Sequence, residues 1–415
     1  MQRRELLKYL SALPLAGGAV SLIPQESVAS PGNSASPSSP LSPAKRDLFK
    51  ELGVRTFINA AGTLTYMTGS LMHDYVLETI NDASKDFCLL DELQDKVGEK
   101  IAGLVHSEAA VVTSGAFSAM TLGLAGILTG MDPAKVEQLP HLDGTGMKSE
   151  VIIQKAHTIV YNHALKNTGC KIIYIETREE LEKAINEKTA LLHFLNIEAD
   201  KGKIQHEEWV AIGRKYGIPT SIDIAADVPP VSNLWKFNDM GFSFVAISGG
   251  KAMRGPQSAG LLMGKKEIIA AARLSMPPRG FTVGRGFKVN KEEILAMYVA
   301  LDHYIKQDHD KEWKEWEDAT AVIDNAVKSI KGVTTNVTVP PLGNITPTLE
   351  ISWDIARIKL TGKELQEKMR KGTPSIEVGG GEGGQGVHVT VWMLKPGQEK
   401  IVAARLKEEL SAAAV

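Results

Sequence analysis

Ser221-Ile222-Asp223-Ile224-Ala225-Ala226 and Ile247-Ser248-Gly249-Gly250-Lys251 are the two stretches whose reading decides the fold. Each is a β-type apolar run ending in a group that can be charged. The acid precedes the lysine by 28 residues, enough for a helix and a return strand in a right-handed crossover. Both groups then stand at one carboxyl edge of a parallel sheet, where open α/β sheets bind ligands. An unpaired carboxylate in so apolar a run is costly, so Asp223 asks for a cationic partner. A helix N-cap or a salt bridge would also satisfy it.

Around Lys251 the residues are small: Ser248, Gly249 and Gly250 before it, Gly255 to Gly260 after it. Small residues let a flat ring approach the backbone. Desolvation and a nearby cation such as Arg254 would lower the amine toward its neutral, nucleophilic form. A solvated surface lysine is the other reading. Upstream, an apolar run through Val112 enters Thr113-Ser114-Gly115 and continues as an Ala/Leu-rich helical stretch to Leu128. Such a helix start presents amides and a positive dipole end to an anion. Hydroxyls of Thr113, Ser114 and Ser118 add donors, and Ser248 is placed to do so as well. Alone, this turn is also a common helix cap. Anion turn, acid and lysine in this order fit pyridoxal phosphate, which needs an amine for an imine, an anion facing the pyridine nitrogen and a phosphate nest.

The run Ser248-Gly249-Gly250-Lys251-Ala252-Met253-Arg254-Gly255-Pro256-Gln257 resembles the lysine motif of the selenocysteine synthase superfamily, within the fold type I pyridoxal phosphate enzymes. It looks most like the D-glucosaminate-6-phosphate ammonia-lyase branch. Phe57-Ile58-Asn59-Ala60-Ala61-Gly62-Thr63, Leu90 to Gly98 and Val283-Gly284-Arg285-Gly286-Phe287-Lys288 are similar to segments of that branch. The resemblance runs from about Leu48 to the C-terminus and is dense through Tyr298. It implies that Lys251 carries the cofactor, that Asp223 faces the ring nitrogen, and that Thr113, Ser114, Gly115 and Ser248 contact the phosphate. Ala226 would pack on one ring face and His157 on the other, an exposed or capping histidine being the alternative for His157. Arg285, Lys288 and Arg254 would bind substrate, the first two meeting its carboxylate, or a phosphate across a subunit boundary; a surface charge is the alternative for either of those two.

The resemblance also implies a lyase that removes a Cα proton and eliminates a β-substituent from an amino acid or amino-sugar acid. An amino-acid racemase, a selenocysteine synthase-like transferase and a non-catalytic binder of pyridoxal phosphate or an amino acid are the alternatives. A homodimer or larger even homo-oligomer is expected, because fold type I sites are generally built from two subunits.

Composition agrees with an enzyme. The 415 residues are 43% hydrophobic and 23% charged, enough for a large core in about two or three domains. A net charge of −2 argues against nucleic acid as a partner. Cys88 and Cys170 suggest neither a disulfide framework nor a zinc site, and read as small buried hydrophobes; no metal is expected.

The expected architecture is α/β, with a mainly parallel seven-stranded sheet in the large domain. Its strands are read at 109–112, 151–154, 171–175, 191–195, 220–224, 244–248 and 260–263. Residues 45–290 form that domain with an N-terminal segment; residues 291–415 form a small α+β domain with an antiparallel sheet. Arg3-Arg4, a short apolar region through Ile23 and Ser27-Val28-Ala29 make residues 1–29 a twin-arginine export signal, followed by a Ser/Pro-rich linker over 30–44. The apolar part is too short to span a membrane, so no stable insertion is expected after cleavage, and the location is periplasmic or exported. Gly379 to Gly384 satisfies a dinucleotide-binding pattern in composition only, since the alternating Val387 to Trp392 that follows offers no helix start.

Overall fold

The computed structural model describes residues 46–381, 384 and 386–415. The segments read as an export signal and a linker therefore lie outside the described residues. Residues 46–55 belong to a small unit of their own, with a helix Leu48–Glu51 capped by Asp47, whose side chain accepts the Lys50 N–H.

Residues 56–415 form the second unit, which holds both sheets. Its strands in chain order are β1 (Ile58–Ala60), β2 (Ala109–Thr113), β3 (Glu150–Gln154), β4 (Lys171–Ile175), β5 (Thr189–Leu195), β6 (Thr220–Asp223), β7 (Phe244–Ser248), β8 (Gly260–Gly264), β9 (Val333–Thr338), β10 (Thr348–Trp353), β11 (Ile376–Gly380) and β12 (Val387–Thr390). Seven of them make one sheet in the order β2-β8-β7-β6-β5-β3-β4. Only β8 runs against its neighbours; the other pairings are parallel. Every residue of β5 is buried, which is why its apolar residues do not alternate with exposed polar ones, although His193 interrupts the run.

Both sheet faces are covered. Helix Gly115–Thr129, which carries no charged residue, packs on one face with Val111, Ile153, Leu191, Phe244 and Leu262. Ile152, Leu192, Phe194, Trp209 and Ile222 build the core on the other. β2 is an edge strand, and its outward backbone is satisfied by a side chain: Gln94, in helix Leu90–Leu104, accepts from the Val112 N–H at 3.1 Å and donates to the Val112 carbonyl at 2.9 Å. That reciprocal pair closes the Val112 backbone groups to another strand. It also gives a physical reason for the Leu90 to Gly98 motif.

The second sheet has the order β1-β11-β12-β10-β9 and is backed by helices His309–Val327, Gly362–Lys371 and Gln398–Ala412. The sequence reading of four antiparallel strands needs a correction. Ile58–Ala60 adds a fifth strand, parallel to β11, so this part of the N-terminal segment pairs with the small sheet and not within the 45–290 domain. Ile58 and Ala60 point into the small core, and a three-residue strand so far away in sequence carries no local signal of its partner. Helix Lys291–Lys306 opens with a capping box between Asn290 and Glu293.

Among the described residues no helix is long and apolar enough to cross a membrane. Cys170 is buried, whereas Cys88 is exposed, which corrects the reading of both as core residues.

Candidate active site

The strand register sets the site. Thr113 and Ser248 both pair with Gly260, so the ends of β2 and β7 stand in one row at the sheet edge. One step along, Asp223 at the end of β6 pairs with Ala246 and Leu195. Gly260 has no alternative here: a Cβ on it would lie 2.8 Å from Gly115 Cα and 2.6 Å from the Ile247 carbonyl oxygen. Its lack of a side chain lets the start of helix Gly115–Thr129 sit directly on β8. Gly115 itself holds φ at +86°, a conformation that glycine adopts without strain.

These elements enclose a cavity of about 280 Å³, with Asp223, Ala225, Ser248, Lys251 and the helix start at Gly115, Ala116 and Phe117 on its wall. The N-terminal segment closes another side. Asn59 Oδ1 accepts from the N–H groups of Ala61 and Gly62 at 3.0 and 3.1 Å, and this turn delivers Thr63 to the cavity. The segment is tied to the lysine loop by the Ser70 N–H on the Gly250 carbonyl at 3.1 Å and by Gln257 Nε2 on the Thr65 carbonyl at 3.3 Å.

Asp223 is 4% exposed. Burial pushes its carboxyl above the usual range, against the Ala225 N–H and the charge of Lys251, which favour the anion. Lys251 is pushed the other way: burial lowers its amine, and the carboxylates of Asp223 and Asp227 oppose that. A cationic heterocycle beside Asp223 would supply the missing partner. No side chain caps helix Gly115–Thr129, so its first amides remain available to an anion. Pyridoxal phosphate fits this set: Lys251 for its aldehyde, Asp223 for its ring nitrogen, and the helix start with Ser248 for its phosphate.

Several expected contacts fall elsewhere. Thr113 is fully buried and its hydroxyl donates to the Gly115 carbonyl at 3.0 Å, inside the cap. Ser114 meets Ser118 at 3.2 Å, oxygen to oxygen, and neither is on the cavity wall. Ala225, and not Ala226, lines the cavity. Beyond the strand end the chain turns, with the Asp227 N–H on the Ile224 carbonyl at 3.1 Å; this turn places Ala225 on the wall, whereas the Ala226 carbonyl accepts the Asn344 N–H at 2.6 Å.

His157 is also corrected. The chain turns inward over Lys155–His157, and the imidazole is buried edge-on against Phe194, with ring centroids 4.5 Å apart. Its Nδ1 accepts the Leu195 N–H at 3.3 Å, and burial lowers it to about 4. Tyr161, four residues on, is on the cavity wall instead, as is Phe117. Arg254 does not act on Lys251. Its backbone turns at a φ of 50°, its Nε donates to the Leu71 carbonyl at 2.7 Å, and Glu312 and Tyr75 are its electrostatic neighbours. Arg285 is partly buried and Lys288 exposed; neither lines the cavity of this chain.

The sequence reading missed Ala225, Tyr161, Thr63, Gln257 and Asp227. Asp227 had a signal, a second acid four residues after the first in the same apolar run. Tyr161 and Gln257 had none, since only the folded loops bring them to Lys251. Among the described residues no cluster of three or more His, Cys, Asp or Glu side chains could hold a metal.

Residues 126–285 match the Aminotransferase class-V family. The D-glucosaminate-6-phosphate ammonia lyase of Salmonella typhimurium is 25% identical over 87% of this chain and 97% of its own. The 5'-C-glycyluridine monooxygenase-decarboxylase of a Streptomyces species is 26% identical over 87% of this chain and 92% of its own. An L-seryl-tRNA(Sec) selenium transferase of Aquifex aeolicus is 26% identical, over 48% of this chain and 49% of its own. The solved structure of a D-glucosaminate-6-phosphate ammonia-lyase superposes with a TM-score of 0.77 at 24% identity, covering 89% of this chain and all of that one. A structure of SPT with PLP superposes with a TM-score of 0.55 at 15% identity, covering 87% and 89%. The fold is that of the fold type I pyridoxal phosphate enzymes.

Proposed function

We propose that this chain is a pyridoxal-phosphate-dependent lyase that takes the Cα proton from an amino acid or amino-sugar acid and eliminates a β-substituent. One observation carries the reading: Lys251, Asp223, Ser248 and the start of helix Gly115–Thr129 line a single cavity. When bound, the cofactor is the electron sink for the bond that breaks at Cα.

The chain's own residues supply the rest. Asp223, buried and fixed by the Ala225 N–H, keeps a negative charge where a ring nitrogen must stay protonated. Lys251, its amine depressed by burial, is suited to accept the Cα proton. With a β-hydroxyl substrate, the base takes Cα–H, the hydroxyl leaves as water, and hydrolysis of the resulting enamine releases a keto acid and ammonia. Ala225 gives the ring a flat wall, and Tyr161, at the mouth, stands where it can shield the site from water.

Among the described residues Lys251 is the one cation on the cavity wall, which favours a hydroxylated amino acid over a phosphorylated sugar acid as the substrate. A phosphorylated substrate would need Arg285 or Lys288 from a second copy. A homodimer or larger even assembly and an exported, periplasmic location directed by Arg3-Arg4 are parts of the same proposal.

Purified protein loaded with pyridoxal phosphate should release keto acid and ammonia from D-glucosaminate or from hydroxy amino acids. Solvent deuterium entering Cα without elimination would replace the lyase reading with a racemase. Release of neither product, with no exchange, would remove both.

A further inference from the structure

Four residues beyond Asp223, the same turn carries a second acid. Asp227 is 2% exposed, and its backbone is pinned: its N–H donates to the Ile224 carbonyl at 3.1 Å, and Asn233 Nδ2 donates to its carbonyl at 2.7 Å. Its Oδ1 meets no hydrogen-bonding partner. The Asn196 amide and the Gly343 backbone stand beside the carboxyl, and Asp223 and Lys251 are the charged groups that face it. Asn196 is itself buried, and its Oδ1 lies 2.7 Å from His206 Nε2, whose ring packs on Phe194 and Phe237. An ordered chain of side chains, His206 to Asn196 to Asp227, thus ends beside the lysine and its acid.

Two buried carboxyls facing one lysine disfavour each other's charge, so the less supported of them ionises only at higher pH. Asp223 has the Ala225 N–H to favour its anion, whereas one oxygen of Asp227 has nothing. We propose that Asp227 is a positioning residue for Lys251: a second acid whose charge decides how firmly the lysine amine holds a proton. Burial raises the Asp227 carboxyl to about 7, so the charge changes within the working range of an enzyme. Below that range Lys251 faces one anion. Above it a second carboxylate appears beside the amine and makes it the stronger base.

The test reads Lys251 itself. In the full chain without added cofactor, the pH dependence of its acylation by acetic anhydride, followed by mass spectrometry, gives the amine's titration. Asp227→Asn should lower that titration by about one pH unit, the scale for losing a close opposite charge. Asp227→Glu should restore most of it. Asn196→Ala, which removes an amide that favours the charged carboxyl, should move it in the same direction by less. Profiles that match the wild type in both Asp227→Asn and Asn196→Ala would overturn the proposal. With pyridoxal phosphate added, the pH at which the lysine-bound cofactor changes its absorbance should fall in Asp227→Asn. Only this second readout rests on the proposed function: if the cofactor never binds, that reading fails, and the acylation profile still decides for or against Asp227.

Discussion

Asp223 Oδ1 accepts the Ala225 N–H at 2.9 Å, which ties the strand-end acid to the residue that forms the cavity wall beside it. The bond fixes the carboxyl's orientation and favours its charged form in a site where burial alone would neutralise it. Orientation and charge can therefore be separated by mutation.

Asp223→Asn keeps the shape and the wall but removes the charge. The variant should still take up pyridoxal phosphate, with turnover reduced at least about a hundredfold, the scale for losing a directed electrostatic contact in a site. Cofactor absorbance and steady-state rates on the same preparation check this. Unchanged turnover would take Asp223 out of the chemistry.

Ala225 and Ala226 give a sharper geometric test, because one is on the wall and its neighbour is not. Ala225→Leu fills space that the ring needs and should weaken cofactor binding at least about tenfold, the effect of a little over 1 kcal/mol of overpacking. Ala226→Leu should cost far less cofactor affinity. Equal losses in an equilibrium titration would mean that the cavity is not the cofactor site.

That pair also marks how far the sequence could be read. All seven strands of the large sheet, and the acid and lysine at its edge, were legible because apolar runs and their polar endings are local signals. Ala226 was chosen one residue too far along, since the side a residue takes after a strand depends on the turn that follows. Arg254 looked close to Lys251 in sequence, but the positive φ at that residue swings it toward Leu71 and Glu312. His157 belongs to the core and Tyr161 to the site, a choice made by one inward turn at Lys155–His157. The pairing of Ile58–Ala60 with β11 spans most of the chain and has no local signature.

Lys251→Ala should abolish the absorbance of covalently held cofactor and cut turnover by at least about a hundredfold, the lower end for losing a general base. Borohydride treatment of the loaded wild type, followed by peptide mapping, should mark Lys251. A mark on another lysine, or full activity in Lys251→Ala, would sink the assignment.

Acid sensitivity follows from three histidines packed near one another. Burial lowers His157 and His206 to about 4 and His193 to about 3, below the ordinary value of 6.5. Between those values the unfolded chain binds more protons than the folded one, so stability falls as pH drops from 6.5 toward 4. Each fully neutral histidine contributes up to about 1.4 kcal/mol per pH unit in that window. His193 is held by Ser221 at 2.8 Å from its Nδ1, and its Nε2 has no partner, so His193→Gln can keep one polar contact while removing the titration. Urea midpoints at pH 7 and pH 5 report the net of all titrating groups, and on going from pH 7 to pH 5 His193→Gln should lose less stability than the wild type, by up to about 1.4 kcal/mol per pH unit below 6.5. Glu312 and Asp227, which burial raises to about 7, act in the opposite sense below that pH, because there the folded chain holds protons that the unfolded one releases. A His193→Gln variant whose midpoints change with pH just as those of the wild type do would show that this imidazole takes up a proton without leaving the core.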